Sequence, residues 1–125
     1  MIHEEICTYE VCKLAKEKGF DVQTFDWYDY TGNYHKGFIP HELHECPRYK
    51  EYYAPTQSLL QRWLREEKKI EVYVRHFEET NKYPHHFAHI ITDDRGVTSE
   101  ISNNMFDTYE LALEDALKYA LENLV

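Results

Sequence analysis

Between Tyr52 and Val74 the chain reads YYAPTQSLLQRWLREEKKIEVYV, and its hydrophobic period changes from 3.6 to 2 within a few residues. Pro55 pre-sets a first-turn backbone angle and lacks the amide that would go unpaired there. From Thr56 to Glu67 the residues Leu59, Leu60, Trp63 and Leu64 form one apolar stripe, leaving Gln57, Gln61, Arg62, Arg65 and Glu66 for the other side. This spacing predicts a helix with one buried face. Ile70, Val72 and Val74 then alternate with Glu71, Tyr73 and Arg75, the pattern of a half-buried strand. Helix and strand therefore meet at close range.

The flanking segments carry the same two periods. In TYEVCKLAKEKGFD, Val11, Leu14 and Ala15 recur at helical spacing, Thr8 can cap the start, and Gly19 supplies the left-handed residue that ends a helix, with Phe20 packing back over the last turn. VQTFDWYDY, Val22 to Tyr30, alternates aromatic and polar residues and predicts a strand, with Phe25 and Trp27 on one face and Val22, Tyr28 and Tyr30 on the other. A hairpin turn is expected at Thr31 to Asn33. From Gly37 to Ala54 two prolines, Pro40 and Pro47, leave an irregular connection with a helical turn at HELHE. HHFAHIIT and VTSEIS flank DDRG, where Gly96 suits a second hairpin turn. At the end, FDTYELALEDALKYALENLV offers a capping box from Asp107 to Glu110 and a staple between Phe106 and Leu111. Ala112, Ala116, Ala120 and Leu124 form a small-residue stripe beside Leu113, Leu117 and Leu121. The expected fold is α+β: an antiparallel sheet built from two hairpins and a strand, packed in two layers with three helices, as a single domain over residues 1–125.

Three of these segments, LAKEKGFD, EYYAPTQSLLQRWLRE with its following strand, and FDTYELALEDALKYALENL, together resemble a family of small uncharacterised proteins of bacterial genomes and associated phage or mobile elements. The resemblance covers nearly the whole chain. It implies a compact α+β domain and supplies no activity, cofactor or catalytic residue.

Size and composition narrow the function classes. A chain of 125 residues buries roughly two-thirds of its unfolded surface, so it needs no metal or disulfide to hold a core. No apolar run approaches the ~18 residues of a membrane span, and MIHEEICTYE lacks the regions of a signal peptide, so a cytoplasmic protein without membrane association is expected. Cys7, Cys12 and Cys46 show no Cys-x-x-Cys spacing and fit reduced thiols. The net charge of −9 is uneven: acids outnumber bases by 10 to 6 over residues 1–53 and by 8 to 2 over residues 83–125, whereas residues 54–82 carry 5 acids and 6 bases. Only the middle third could face a phosphate backbone without repulsion.

The residues that could carry chemistry are scattered. His41, His44 and Cys46 in HELHEC and His85, His86 and His89 in YPHHFAH are zinc-competent. Their spacing is wrong for a shared ion: HELHE is one residue short of His-Glu-x-x-His, and on a strand His86 points away from His85 and His89. No metal, no cofactor and no catalytic residue are assigned, and a zinc-dependent enzyme is the remoter reading. Cys46 beside His44, Glu45 and Arg48 is a poor setting for a nucleophilic thiol, and no phosphate loop or nucleophile elbow occurs. Arg62, Arg65, Lys68 and Lys69 would serve a nucleic-acid-binding helix after Pro55, but Glu66, Glu67 and Glu71 interleave them. The acidic surface could also imitate nucleic acid toward a basic partner. What stands out is the aromatic excess, 15% of residues with eleven tyrosines. Tyr28, Tyr30, Tyr34, Tyr49, Tyr52 and Tyr53 crowd the first hairpin and the loop behind it, together with Phe25, Trp27 and Phe38. Since one face of the hairpin must find cover, these six tyrosines are the candidate surface for a protein partner or a second copy, in a binding or accessory module rather than an enzyme.

Overall fold

The computed structural model describes residues 4–39, 50–77, 85–91, 98–100 and 106–125, with residues 75–77, 85–91 and 98–100 described by their backbone. The chain divides into two compact units, Met1–Thr56 and Gln57–Val125.

In the first unit, helix α1 (Tyr9–Glu17) starts where the Thr8 side chain accepts from the Val11 amide at 3.4 Å. It ends where Gly19 takes a φ of +101°, which lets the Phe20 amide reach Ala15 O at 2.9 Å and the Gly19 amide reach Lys16 O at 3.1 Å. Phe20 is buried over this cap, as are Val11, Cys12 and Ala15 on the inner face. Three strands of two residues follow, β1 (Trp27–Tyr28), β2 (Tyr34–His35) and β3 (Tyr52–Tyr53), in the antiparallel order β2-β1-β3. Trp27 faces His35 on one side and Tyr53 on the other, and Tyr28 faces Tyr34 and Tyr52. α1 packs against β3.

In the second unit, α2 (Gln57–Glu67) leads into β4 (Glu71–Phe77), β5 (His85–Ile91) and β6 (Thr98–Glu100), an antiparallel sheet in chain order, and α3 (Tyr109–Asn123) closes the chain. α3 packs on β4 and β5, and α2 packs on β4 and α3. The core is Leu60, Trp63 and Leu64 of α2, Ile70 and Val72 at the start of the sheet, and Ala112, Leu113, Ala116, Leu117, Ala120 and Leu121 of α3. The alanines bring the α3 backbone close to the sheet while the leucines fill the flanks, and each leucine so buried contributes about 1.5–3 kcal/mol.

The α+β class, the three helices, both hairpin pairings and their antiparallel sense agree with the sequence pattern. The strands nonetheless fall into two separate sheets rather than the single sheet expected. Part of the connection read as irregular supplies β3, while the HELHE turn, His41, His44, Cys46, Tyr49 and Gly96 lie outside the described residues. The strand read over Val22 to Tyr30 shrinks to Trp27–Tyr28, because the chain bends at Phe25 where Thr24 Oγ1 donates to Asp26 O at 2.7 Å. That bend separates Phe25 from Trp27: the first is exposed and the second buried. Pro55 stands ahead of the first helical residue, fully buried, its carbonyl accepting from the Cys7 amide at 3.0 Å.

Three further corrections concern polar residues. The cap of α3 is Thr108, which accepts from the Leu111 amide at 3.1 Å, and not Asp107; one residue of shift takes Phe106 and Leu111 out of staple register and leaves Leu111 exposed. Gln57, placed by the pattern on the solvent side, is buried, its amide donating to Glu110 O at 2.9 Å and to Glu114 Oε2 at 2.8 Å. Gln61 donates to the carbonyl of Val72 and is half-buried. Both glutamines pair α2 with its neighbours through hydrogen bonds that an apolar stripe does not reveal. α2 then hands over to β4 through Lys69, whose φ of +57° brings the Ile70 amide onto Leu64 O at 3.0 Å.

These placements separate two adjacent positions on one helix. Trp63→Ala should cost about 3–5 kcal/mol in denaturant unfolding by removing a buried ring, whereas Arg62→Ala should change stability by less than about 0.5 kcal/mol, its exposed pair with Glu66 being weak. Equal losses in the two variants would contradict this core.

Candidate partner surface

The first hairpin is organised by one carboxylate. Asp29 Oδ1 accepts from the Thr31 amide at 2.9 Å, the Thr31 hydroxyl at 2.5 Å and the Asn33 amide at 3.0 Å, while Oδ2 meets His35 Nε2 at 2.8 Å. Backbone bonds from the Asp29 amide to Asn33 O and from the Gly32 amide to Asp29 O, both 3.0 Å, close the turn over Gly32 at a φ of +89°. The Thr31 hydroxyl chiefly, then His35 and the two amides, hold the Asp29 carboxyl well below the usual carboxylate range against the opposing effect of burial. The His35 ring in turn stacks on Trp27, centroids 4.3 Å apart and planes 15° from parallel. The Asp29–His35 pair, with the Asp29 bonds to Thr31 and Asn33, braces the turn.

Behind the turn runs a chain of tyrosines in edge-to-face contact. Tyr52 meets Tyr9 at 5.7 Å, Tyr9 meets Tyr28 at 5.8 Å, and Tyr28 meets Tyr34 at 5.5 Å. Their hydroxyls are tied as well: Tyr28 donates to Cys7 O at 2.8 Å, Tyr9 to Tyr30 O at 3.3 Å, and Tyr34 to Asp26 Oδ2. Burial, reinforced by the Asp26 carboxylate, pushes the Tyr34 phenol up to about 12.

Of the six tyrosines drawn from the sequence, the structure therefore places Tyr52 (5% exposed) in the core, leaves Tyr28 and Tyr53 half-buried, and exposes Tyr34 (39%) and Tyr30 (52%); Tyr49 lies outside the described residues. Among the described residues of this unit, the two most exposed large hydrophobic side chains lie outside that set. Phe25 (61% exposed) and Phe38 (65%) pack edge to face, centroids 5.0 Å apart. Both lie in the aromatic-rich segment, and the bend at Phe25 is the signal that would have turned its ring outward.

The other candidates do not assemble. In the second unit Arg62 pairs with Glu66 at 3.0 Å, Arg65 with Glu71 at 3.7 Å, Lys69 donates to Glu66 O at 3.1 Å, and Lys68 lies 5.3 Å from the centre of the Trp63 ring. A helix reading phosphates would hold these cations toward the ligand instead of toward its own carboxylates. Among the described residues no group of three or more histidines, cysteines, aspartates or glutamates is placed to hold a metal ion, and no helix is long and apolar enough to cross a membrane.

Compared with known proteins, the chain matches no family model, no curated protein and no solved structure.

The turn chemistry gives two expected outcomes. Gly32→Ala should cost about 1–2 kcal/mol because an L side chain is strained at this φ, although the added methyl would only touch the Tyr9 ring at 3.4 Å. For Asp29 the folded carboxyl titrates below its unfolded value near 3.9, so its stabilisation is complete above about pH 4 and is lost as the pH falls further. Urea unfolding of the wild type and Asp29→Asn should therefore differ most at neutral pH and converge in acid; a gap that does not narrow below pH 4 would contradict the assignment.

Proposed function

We propose that the chain is a small non-catalytic accessory or regulatory module that binds a protein partner through the exposed aromatic residues of its first unit. The observation that carries this reading is the Phe25–Phe38 pair, with Tyr30 and Tyr34 exposed on the same unit. Singly exposed apolar residues are ordinary, but two phenylalanines each more than half exposed and in mutual contact form a patch of the kind that protein interfaces use. The ring pair is also well suited to an anchor, since its members are already in contact and lose little freedom on binding. The resemblance of the helical segments to small phage- and mobile-element-associated proteins supports an accessory role in such an element. A nucleic-acid partner finds less support, because the basic residues of α2 are engaged with Glu66, Glu71 and Trp63, and the chain carries −9 overall.

The test is a paired substitution, Phe25→Ser with Phe38→Ser. These residues are exposed, so the thermal midpoint should stay within a few degrees of wild type. Affinity capture from host lysate, with nucleic acid digested in a parallel sample, should recover a protein with the wild type and lose at least tenfold of it with the double variant. Undiminished recovery with the double variant, or recovery abolished by the nuclease alone, would overturn the reading.

A further inference from the structure

The first unit also holds a cavity of about 140 Å³ lined by Cys12, Lys16, Phe20, Ile39, Glu51 and Tyr53. Its floor is apolar. Cys12 lies on the inner face of α1 and Phe20 is the residue that seals the helix cap, and both are almost completely buried. A void of this size accommodates a body no larger than benzene.

The lysine is the unusual member. Its Nζ donates to the backbone carbonyl of Glu51 at 2.7 Å and lies 5.3 Å from the centre of the Tyr52 ring, so the ammonium is held in place by neutral groups. Among the described residues no carboxylate pairs with it. Tyr52 cannot supply a counter-charge either, because burial first, and then the neighbouring Tyr9 and Glu17, raise its phenol above the ordinary tyrosine value and keep it protonated. An ammonium carries three donors, of which one is spent on Glu51 O. An ammonium with donors to spare, in a cavity lined by Cys12, Phe20 and Ile39 as well as by Tyr53 and Glu51, suits an anion that carries a compact apolar tail.

We propose that this cavity binds a small monocarboxylic acid, with the carboxylate on the Lys16 ammonium and a phenyl-sized or branched aliphatic body against Cys12, Phe20 and Ile39. The carboxylate sets orientation and the body excludes water from the cavity floor. A ligand of this size makes few contacts, so the affinity is in the millimolar range. The site is independent of the phenylalanine pair and would stand if that surface had no partner.

Benzoate, benzyl alcohol and benzylamine share a ring and differ in charge, and they can be titrated into the full chain while backbone amide resonances are followed. Benzoate should give saturable shifts at Cys12, Phe20 and Tyr53. Benzyl alcohol should bind about tenfold more weakly for lack of the charge-assisted bond, and benzylamine more weakly still. Lys16→Met keeps the aliphatic stem of an exposed side chain and should weaken benzoate about tenfold without altering benzyl alcohol; Lys16→Arg should retain benzoate binding. Equal affinities for benzoate and benzyl alcohol, a Lys16→Met variant that binds benzoate as the wild type does, or shifts that fail to saturate at these three residues would each overturn the proposal.

Discussion

A strand of two residues forms too few ladder bonds to hold a sheet, so the β2-β1-β3 sheet of the first unit stands on its rings. Trp27 is central: it is paired through the backbone to His35 and Tyr53, stacked on the His35 imidazole, and buried. Asp29 then fixes that imidazole from the other side, so the turn, the stacked pair and the strand register are one construction. The tyrosine chain from Tyr52 through Tyr9 and Tyr28 to Tyr34 adds contacts that edge-to-face geometry makes worth about 0.5–1.5 kcal/mol each beyond the area they bury. Four of the eleven tyrosines are thereby explained as architecture. A phenol suits this duty better than a phenyl ring, since the Tyr9, Tyr28 and Tyr34 hydroxyls each also donate to a carbonyl or carboxylate.

That allocation sharpens the functional question. With Tyr52 in the interior and Tyr28 half-buried, the exposed aromatic residues among those described in the first unit are Phe25, Phe38, Tyr30 and Tyr34. Phenylalanine has no hydroxyl to tie down and gains nothing from water, so an exposed pair is harder to account for by packing than an exposed tyrosine. The second unit is different in character. Its described apolar side chains turn mainly inward onto the α3 leucines and alanines, and the described cations of α2 are matched by its own acids and by Trp63.

Much of the fold was legible because periodicity reports burial directly. Val11 and Ala15 on α1, Leu60, Trp63 and Leu64 on α2, Ile70 and Val72 at β4, and the Ala112 to Leu121 stripe all lie where their spacing puts them. Local chemistry was legible too, in Thr8, Gly19 and the turn through Thr31 to Asn33. What escaped has a common cause. β3 is two residues long and carries no period; the bend at Phe25 is made by a threonine hydroxyl; Gln57 and Gln61 are recruited by distant carbonyls. Asp107 and Thr108 are both competent caps, and the Asp107–Glu110 spacing favoured the wrong one. The division of strands between two sheets depends on which hairpin lies beside which, and no local pattern encodes that. Which aromatic rings of the first unit are exposed was not legible residue by residue, because a period-two reading assumes a straight strand.

Tyr9 belongs to the first turn of α1, yet its hydroxyl donates to Tyr30 O and its ring lies against the space above Gly32. The hairpin turn is thus not a free-standing loop tip. To open, it must give up its ring contact with the helix, and a helix that frays at its start uncovers the turn. The amides of Thr31 and Asn33, which donate to Asp29, are therefore expected to exchange with solvent at rates that follow those of the α1 amides, as parts of one cooperatively opening element. Tyr30, whose carbonyl takes the Tyr9 bond, is thereby ordered during folding together with the turn that carries it.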